Sequence, residues 1–381
     1  MKITNVELLI LEAPGSYGIP PGAGEAYGMK NLGIVKVETD TGITGYSDVE
    51  TQPYVARAIV EAPAAGVLPG FQGLRAVLLG EDPFEVERLW NKMYMASVYY
   101  GRRGAAIQVI SGIDIALWDI IGKATQQPIY KLLGGGYHRK IRAYASTLFR
   151  STPQAMQEAC KRYIDLGFTA VKFGWGVFGE DKERDVELVE AARRALGDEI
   201  DLLVDTGWYV QRTPKEAIAL VHRLKPFNPF FIEELLSPED YDGYAQVSEA
   251  VSTLIACGEQ ESTEWGFRRL IEQAKVDVVQ PDVSRCGGFT VARKVVHLAD
   301  SHNRLCIPHA WSSDVLSAAT LHLNAYMRRA VFLEFNAANG PLVREIVRNP
   351  LRLEEGHVDV PQEPGLGVEL DEAALAKYRI E

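Results

Sequence analysis

Positive charge is in short supply in this chain. Its 381 residues carry 40 lysines and arginines against 51 acids, a formal net charge of −11. That balance argues against nucleic acid and against anionic membrane surfaces as partners, because both are held mainly by clustered cations. It leaves room for an anionic small molecule, since a metal or a local cation can dominate a pocket. Cysteine is scarce too. Cys160, Cys257, Cys286 and Cys306 show no close pairing, and three of them lie in apolar runs. They read as small buried residues of a reducing compartment, the cytoplasm. The N-terminal MKITNVELLILEAPGS alternates like a strand and lacks the long apolar core and small-residue cleavage site of a secretory signal. No stretch approaches the roughly 18 uninterrupted apolar residues of a membrane span. No G-x-G-x-x-G opens a helix after the first strand, which argues against a doubly wound dinucleotide fold. There is no low-complexity tract and no repeat beyond a strand–helix unit.

What is present reads as an ordinary globular chain with ample core, 47% apolar and 24% charged. Residues 1–12 and 33–47 alternate as half-buried antiparallel strands, the second returning through the turn signal Asp40-Thr41-Gly42. The Gly- and Pro-rich stretch between them, about 14–30, is expected to be a lid, with Tyr17 and Tyr27 placed to cover a ligand. Helical periodicity follows over 53–80, 84–97 and 104–125. The last segment is apolar on nearly all faces and is expected to be a buried helix joining two domains. From residue 139 strands and helices alternate strictly, with Thr152-Pro153 and Thr213-Pro214 as helix starts. Eight strands over roughly 210 residues is a βα-barrel signature.

Three of the apolar runs end in carboxylates: Asp205, Glu233 and Glu259. Their intervals, 233 − 205 and 259 − 233, both approach one strand–helix unit, roughly 30 residues in a barrel of ~250. Successive strand ends of a parallel barrel lie side by side, so the three acids converge. Converging anions need a cation, and an all-oxygen set suits Mg²⁺. The bland alternative is three unrelated acids in salt bridges. The same rim is expected to hold Lys172, Asp282, His309 and Glu334. Asp282 and His309 sit one unit apart, as a carboxylate that fixes an imidazole tautomer and raises its basicity must. The competing reading of His309 is a satisfied core histidine. Lys172 is either a surface lysine or a contact for a substrate carboxylate. Glu234 and Glu261 are taken as bystanders, Glu234 because alternation turns it away from Glu233. Arg102 and Arg103 are either a ligand-binding or a domain-bridging pair.

At these residues the chain resembles the enolase superfamily, mandelate racemase subgroup, along essentially its whole length. Ser111 to Gly135 looks like the family's helix signature. Asp205, Glu233 and Glu259 match its Mg²⁺ ligands, Asp282 and His309 its His–Asp dyad, and Glu334 its strand-8 electrophilic glutamate, a hydrogen-bond donor to the substrate carboxylate if it is protonated. The resemblance implies an α/β fold, a modified (β/α)7β TIM-like barrel with an N-terminal α+β capping domain. The cap is expected over 1–135, the barrel over 136–350, and a C-terminal segment returning to the cap over 351–381. Where the subgroup often has Lys-x-Lys on strand 2, this chain has Lys172-Phe173-Gly174, so the base on the opposite substrate face is missing. Where it often has Asp-x-Asn on strand 3, this chain has Asp205-Thr206-Gly207. IEELLSPEDYDGY and VVQPDVSRCGGFT look most like rhamnonate-type dehydratases. The implied function is Mg²⁺-dependent dehydration of a sugar acid, with a small-molecule carboxylate as partner and a homo-oligomeric state. The alternatives are a racemase, epimerase or cycloisomerase of the same superfamily, or a non-catalytic sugar-acid binding protein.

Overall fold

The computed structural model describes residues 1–13, 31–65, 70–338 and 340–380. The lid expected at about 14–30 lies outside the described residues. The N-terminal domain is built on an antiparallel sheet of β1 (Ile3–Glu12), β2 (Asn31–Thr39) and β3 (Thr44–Val49), in that order. β2 and β3 are joined at the Asp40-Thr41-Gly42 turn. Helices Pro53–Glu61, Leu74–Leu78, Val86–Ser97 and Ala105–Thr125 follow. The helical segment expected over 53–80 is broken at Ala62, whose ψ of 137° is extended. Pro63 follows it, and the proline ring disfavours the α region for the residue before it.

Helix Ala105–Thr125 is long and apolar enough to cross a membrane by length and composition, but 89% of its most apolar 18-residue stretch is buried inside the protein. It packs on β3 and against the barrel helices Val283–Cys286 and Gly288–Ser301. Three of its polar groups tie it to the second half of the chain. Ser111 Oγ accepts from Gly287 N at 2.8 Å, Asp114 from Thr290 N at 3.0 Å and Asp119 from Leu366 N at 2.9 Å. A buried polar group costs free energy unless it is satisfied, so these pairings specify how the elements dock.

The second domain holds eight parallel strands: β4 (Lys140–Leu148), β5 (Ala170–Gly174), β6 (Asp201–Asp205), β7 (Phe231–Glu233), β8 (Leu254–Cys257), β9 (Val278–Val279), β10 (Leu305–Cys306) and β11 (Leu333–Asn336). The ladder runs β10-β9-β8-β7-β6-β5-β4-β11. Each of the first seven strands is followed by a helix of ten residues or more, and β11 only by Pro341–Arg344, which makes a modified (β/α)7β barrel. Thr152 and Thr213 cap their helices through their side chains, Thr213 in a reciprocal capping box with Glu216.

The barrel interior is plugged by Tyr144, Ala170, Leu203, Phe231, Ala256, Val278, Ile307 and Phe332, one from each strand or its immediate flank. Side chains alternate along a strand, so the residue two further on points inward again. Those residues include Ser146, Lys172, Asp205, Glu233, His309 and Glu334. The polar rim is thus the next layer above an apolar floor. Phe173, between two inward positions, packs outside the ring against Phe149, with centroids 5.8 Å apart.

The C-terminal segment meets the barrel before the cap. β12 (Leu353–Glu354) and β13 (His357–Asp359) form a hairpin, and β13 pairs antiparallel with β4. The chain then runs to the cap, where Arg379 bridges Leu11 and Ile380 N donates to Ile10 O at 3.1 Å.

Candidate active site

Register brings the rim residues level. Gly174 lies beside Asp205, Asp205 beside Glu233, and Glu233 beside Ala256. Lys172 sits inside β5 and Glu334 inside β11. Glu259, Asp282 and His309 lie two or three residues beyond the ends of β8, β9 and β10, where the sequence reading had extended the strands to include them. There the backbone leaves the ladder for side-chain acceptors. Ser284 N donates to Asp282 at 2.7 Å, so that Asp282 caps the helix Val283–Cys286, and Ala310 N donates to Glu334 at 2.8 Å.

Lys172 stands between two acids. Its Nζ is 3.1 and 2.9 Å from the oxygens of Glu233 and 2.8 Å from Glu334. Burial disfavours the charge on Lys172, but Glu233 and Glu334 outweigh it and hold the ammonium well above its ordinary pKa. Glu334 also accepts from Ser146 Oγ at 2.7 Å. Burial pushes its carboxyl up, while Lys172 and His309 pull harder and leave it below the ordinary range. Glu334 is therefore ionised here. The sequence allowed a hydrogen-bond donor here on condition that the carboxyl is protonated; its three donors, Lys172, Ser146 and Ala310 N, favour the charged form instead.

His309 Nδ1 lies 2.7 Å from Asp282 Oδ2, and its Nε2 lies 3.0 Å from Glu259 and 3.8 Å from Glu334. Burial lowers the imidazole pKa, and Glu259 and Glu334 override it, raising it well above its usual value. With a carboxylate acceptor at each ring nitrogen, both nitrogens donate and the protonated imidazolium is the favoured form. Burial also opposes charge on Glu259, but His309 and Arg285 outweigh it and depress that carboxyl.

Asp205 and Glu233 both lie above the ordinary carboxylate range. Burial is the first cause for each; for Asp205 the second is repulsion from Glu233, with Glu259 contributing further. Three buried all-oxygen donors that repel one another are the chemistry of a divalent-cation site. Gly174 makes room for it, because a Cβ there would lie 2.7 Å from Asp205 Oδ2 and 2.8 Å from Asp205 Cβ. Among the described residues, a tighter group of potential ligand atoms is Glu50, Asp282 and His309, all within 4.8 Å of one another. Arg285 stands among these three, 2.6 Å from Glu50 and 3.8 Å from Asp282. That group is a hydrogen-bonded ion cluster rather than a cation site.

The rim opens into a cavity of about 360 Å³ whose walls include Glu50, Gln108, Trp175, Arg285 and Trp311. Trp175 occupies the left-handed region at φ 51° and packs on Tyr209, with centroids 4.8 Å apart. Such backbone costs about 1–3 kcal/mol in a non-glycine residue and clusters at functional sites. Arg103 is a domain bridge. It reaches from the cap to Glu239 and Glu261, each at 3.2 Å, and to Tyr241 at 3.0 Å, and so holds Glu261 away from the rim. Glu234 is buried beside the ligand set at φ 53°. The sequence reading missed Ser146 and Arg285. Ser146 was available from alternation, two residues after Tyr144. Arg285 carries no local signal.

Two family models match the chain. Residues 23–134 match "Mandelate racemase / muconate lactonizing enzyme, N-terminal domain", and residues 155–374 match "Enolase C-terminal domain-like". The D-galactarolactone cycloisomerase of Agrobacterium fabrum is 33% identical, over 91% of this chain and 91% of its own. The arabinonate dehydratase of Saccharolobus solfataricus is 31% identical over 90% and 89%. Among solved structures, the 3,6-anhydro-D-galactonate cycloisomerase from Zobellia galactanivorans superposes with a TM-score of 0.88 at 31% identity, covering 100% of both chains.

Proposed function

This chain belongs to the mandelate racemase / muconate lactonizing enzyme family of the enolase superfamily, and from that premise we propose that it is a Mg²⁺-dependent dehydratase of a sugar acid, an aldonate or aldarate. The observation that carries the reading is the one-sided rim. Among the described residues, a single imidazole backed by a carboxylate faces the cavity, and Asp205 fills the space a side chain on Gly174 would need. Racemisation or epimerisation through two faces calls for a second base, which the family pattern puts at that position.

Asp205, Glu233 and Glu259 would hold the Mg²⁺, which supplies Lewis-acid stabilisation of the charge that develops on the substrate carboxylate. The chain's own residues do the rest. Lys172 adds a fixed positive charge beside that carboxylate, and Glu334 and Ser146 orient Lys172. His309, neutral and held by Asp282, takes the α-proton at Nε2. The C3–O bond then breaks, and the imidazolium returns its proton to the departing oxygen, which leaves as water. The resulting enol takes a proton from solvent at C3, gives up its C2 hydroxyl proton to solvent, and so becomes a 2-keto-3-deoxy acid.

A cycloisomerase is the second reading, supported by two relatives named for that activity at 31–33% identity. It shares α-proton removal but keeps the leaving oxygen within the molecule. The experiment is a panel of sugar acids incubated with the protein in D₂O, with Mg²⁺ and with EDTA, and followed by mass spectrometry and a 2-keto assay. The expected product is lighter by one water and its formation is abolished by EDTA. An isobaric product would replace the dehydratase with the cycloisomerase. Deuterium incorporation without water loss would point to an epimerase, and an unchanged panel to a binding protein. His309→Asn is expected to stop both exchange and elimination; exchange surviving in that variant would show another base.

A further inference from the structure

The third cap strand ends in two acids that the chemistry above does not use. Asp48 is the penultimate residue of β3 and Glu50 follows its last, so alternation sends both from the same face. Each reaches a different barrel loop. Asp48, fully buried, accepts from Ser312 Oγ at 2.9 Å, from Ser313 N at 3.2 Å and from Ser313 Oγ at 2.8 Å. These serines stand on the loop that leaves His309. Glu50 accepts from Arg285 at 2.6 Å, and Ser284 Oγ lies 3.4 Å from it. These residues stand on the turn that leaves Asp282, and Ser284 N and Oγ both donate back to Asp282 Oδ1 at 2.7 Å. The loop of the base and the turn of its partner therefore hang from adjacent positions on one cap strand.

That strand cannot shift freely. Helix Ala105–Thr125 passes it so closely that a Cβ on Gly112 would lie 2.6 Å from Val49 Cγ2 and 2.9 Å from Asp48 O. The same helix also ties down the chain beyond Asp282, through Ser111 to Gly287 N and Asp114 to Thr290 N. An apolar contact would join the domains without setting an angle. Directed hydrogen bonds to a buried carboxylate set the loop's orientation as well as its distance.

We propose that Asp48, assisted by Glu50, is a positioning residue for the His309–Asp282 pair, so that seating of the cap sets the geometry of proton transfer. The proposal rests on the reading of His309 as the base. It ties the dyad to the cap: the two loops are registered against each other by a strand from the other domain rather than by the barrel alone.

The test uses the full chain with Asp48→Asn, and separately the double variant Ser312→Ala/Ser313→Ala in case the first fails to fold. The first readout needs no substrate. It is the far-downfield proton resonance of His309 Nδ1–H, assigned by its loss in His309→Asn. It is expected to move upfield and exchange faster with solvent in both variants. The second readout is turnover of the sugar acid found in the screen: kcat is expected to fall about tenfold to a hundredfold, as for a slight misplacement of reacting groups, with KM little changed. An unshifted resonance in either folded variant overturns the proposal whatever the rate does, as does absence of the resonance from the unaltered chain. A resonance that responds in a protein that turns over no sugar acid sinks the dehydratase reading and leaves the brace standing.

Discussion

Gly174 and Asp205 face each other across the β5–β6 ladder with no room for a methyl group between them: a Cβ on Gly174 would meet Asp205 Oδ2 at 2.7 Å. The residue that would carry a second base thus gives its space to a metal-type ligand. Gly174→Ala is expected to push Asp205 out of line and weaken Mg²⁺ binding by about 10- to 100-fold, the usual cost of disturbing the support of a ligand. Calorimetric titration of Mg²⁺ checks it. Gly174→Lys is expected to weaken binding at least as much and to yield no epimerase. Gain of epimerisation in that variant would show that the opposite face is open after all.

Lys172 is the counter-charge for two buried acids, Glu233 and Glu334. Lys172→Met leaves both without it. Breaking a buried pair by removing one partner costs about 3–5 kcal/mol, far more than a surface bridge. Urea denaturation is expected to show a loss of that order without Mg²⁺, part of it recovered when Mg²⁺ is added. A variant as stable as the parent in EDTA would mean that the two acids are neutral in the native state.

Gly112 tests the seating of the cap by a route remote from the rim. In an exposed helix Gly→Ala gains about 1 kcal/mol. Here the new methyl meets Val49 and the Asp48 carbonyl at 2.6 and 2.9 Å, and overpacking of this kind costs about 1–3 kcal/mol. The clash is expected to win, so that Gly112→Ala lowers the thermal midpoint and reduces kcat along with it. A raised midpoint would mean that the helix and β3 can part without loss.

His322 sets an acid limit on stability. It is buried on helix Asp314–Tyr326, with Nε2 3.0 Å from Leu366 O, and burial lowers its pKa to about 4. The unfolded chain takes the proton near pH 6.5, before the native state does. Its contribution is therefore complete above pH 6.5 and is lost as pH falls toward 4. A shift of that size corresponds to about 3 kcal/mol. Buried Asp48 and Asp114, raised to about 6 and about 7, act in the opposite sense: their contributions are present at low pH and lost as pH rises through those values. The comparison must therefore be with a variant. His322→Gln is expected to narrow its stability deficit against the parent between pH 7 and pH 4.5, measured by urea midpoints. A constant difference across that range would show that His322 takes its proton in both states alike.

The amino-acid order alone determined the barrel and most of its rim, because both follow from short-range periods. An inward apolar residue in each strand places the next inward residue two positions on, and that rule alone puts Lys172, Asp205, Glu233, His309 and Glu334 in one layer. Strand–helix units of similar length then bring successive carboxylates side by side. Tertiary structure decided what no period encodes. Glu50 meets Arg285 across 235 residues and Asp48 meets Ser312 across 264, contacts that exist only once the cap has docked. The charge on Glu334 was likewise invisible in the sequence, since it depends on three donors brought from β4, β5 and the loop after β10. Local spacing reports direction along a strand, whereas ionisation and loop orientation depend on which distant groups share the buried space.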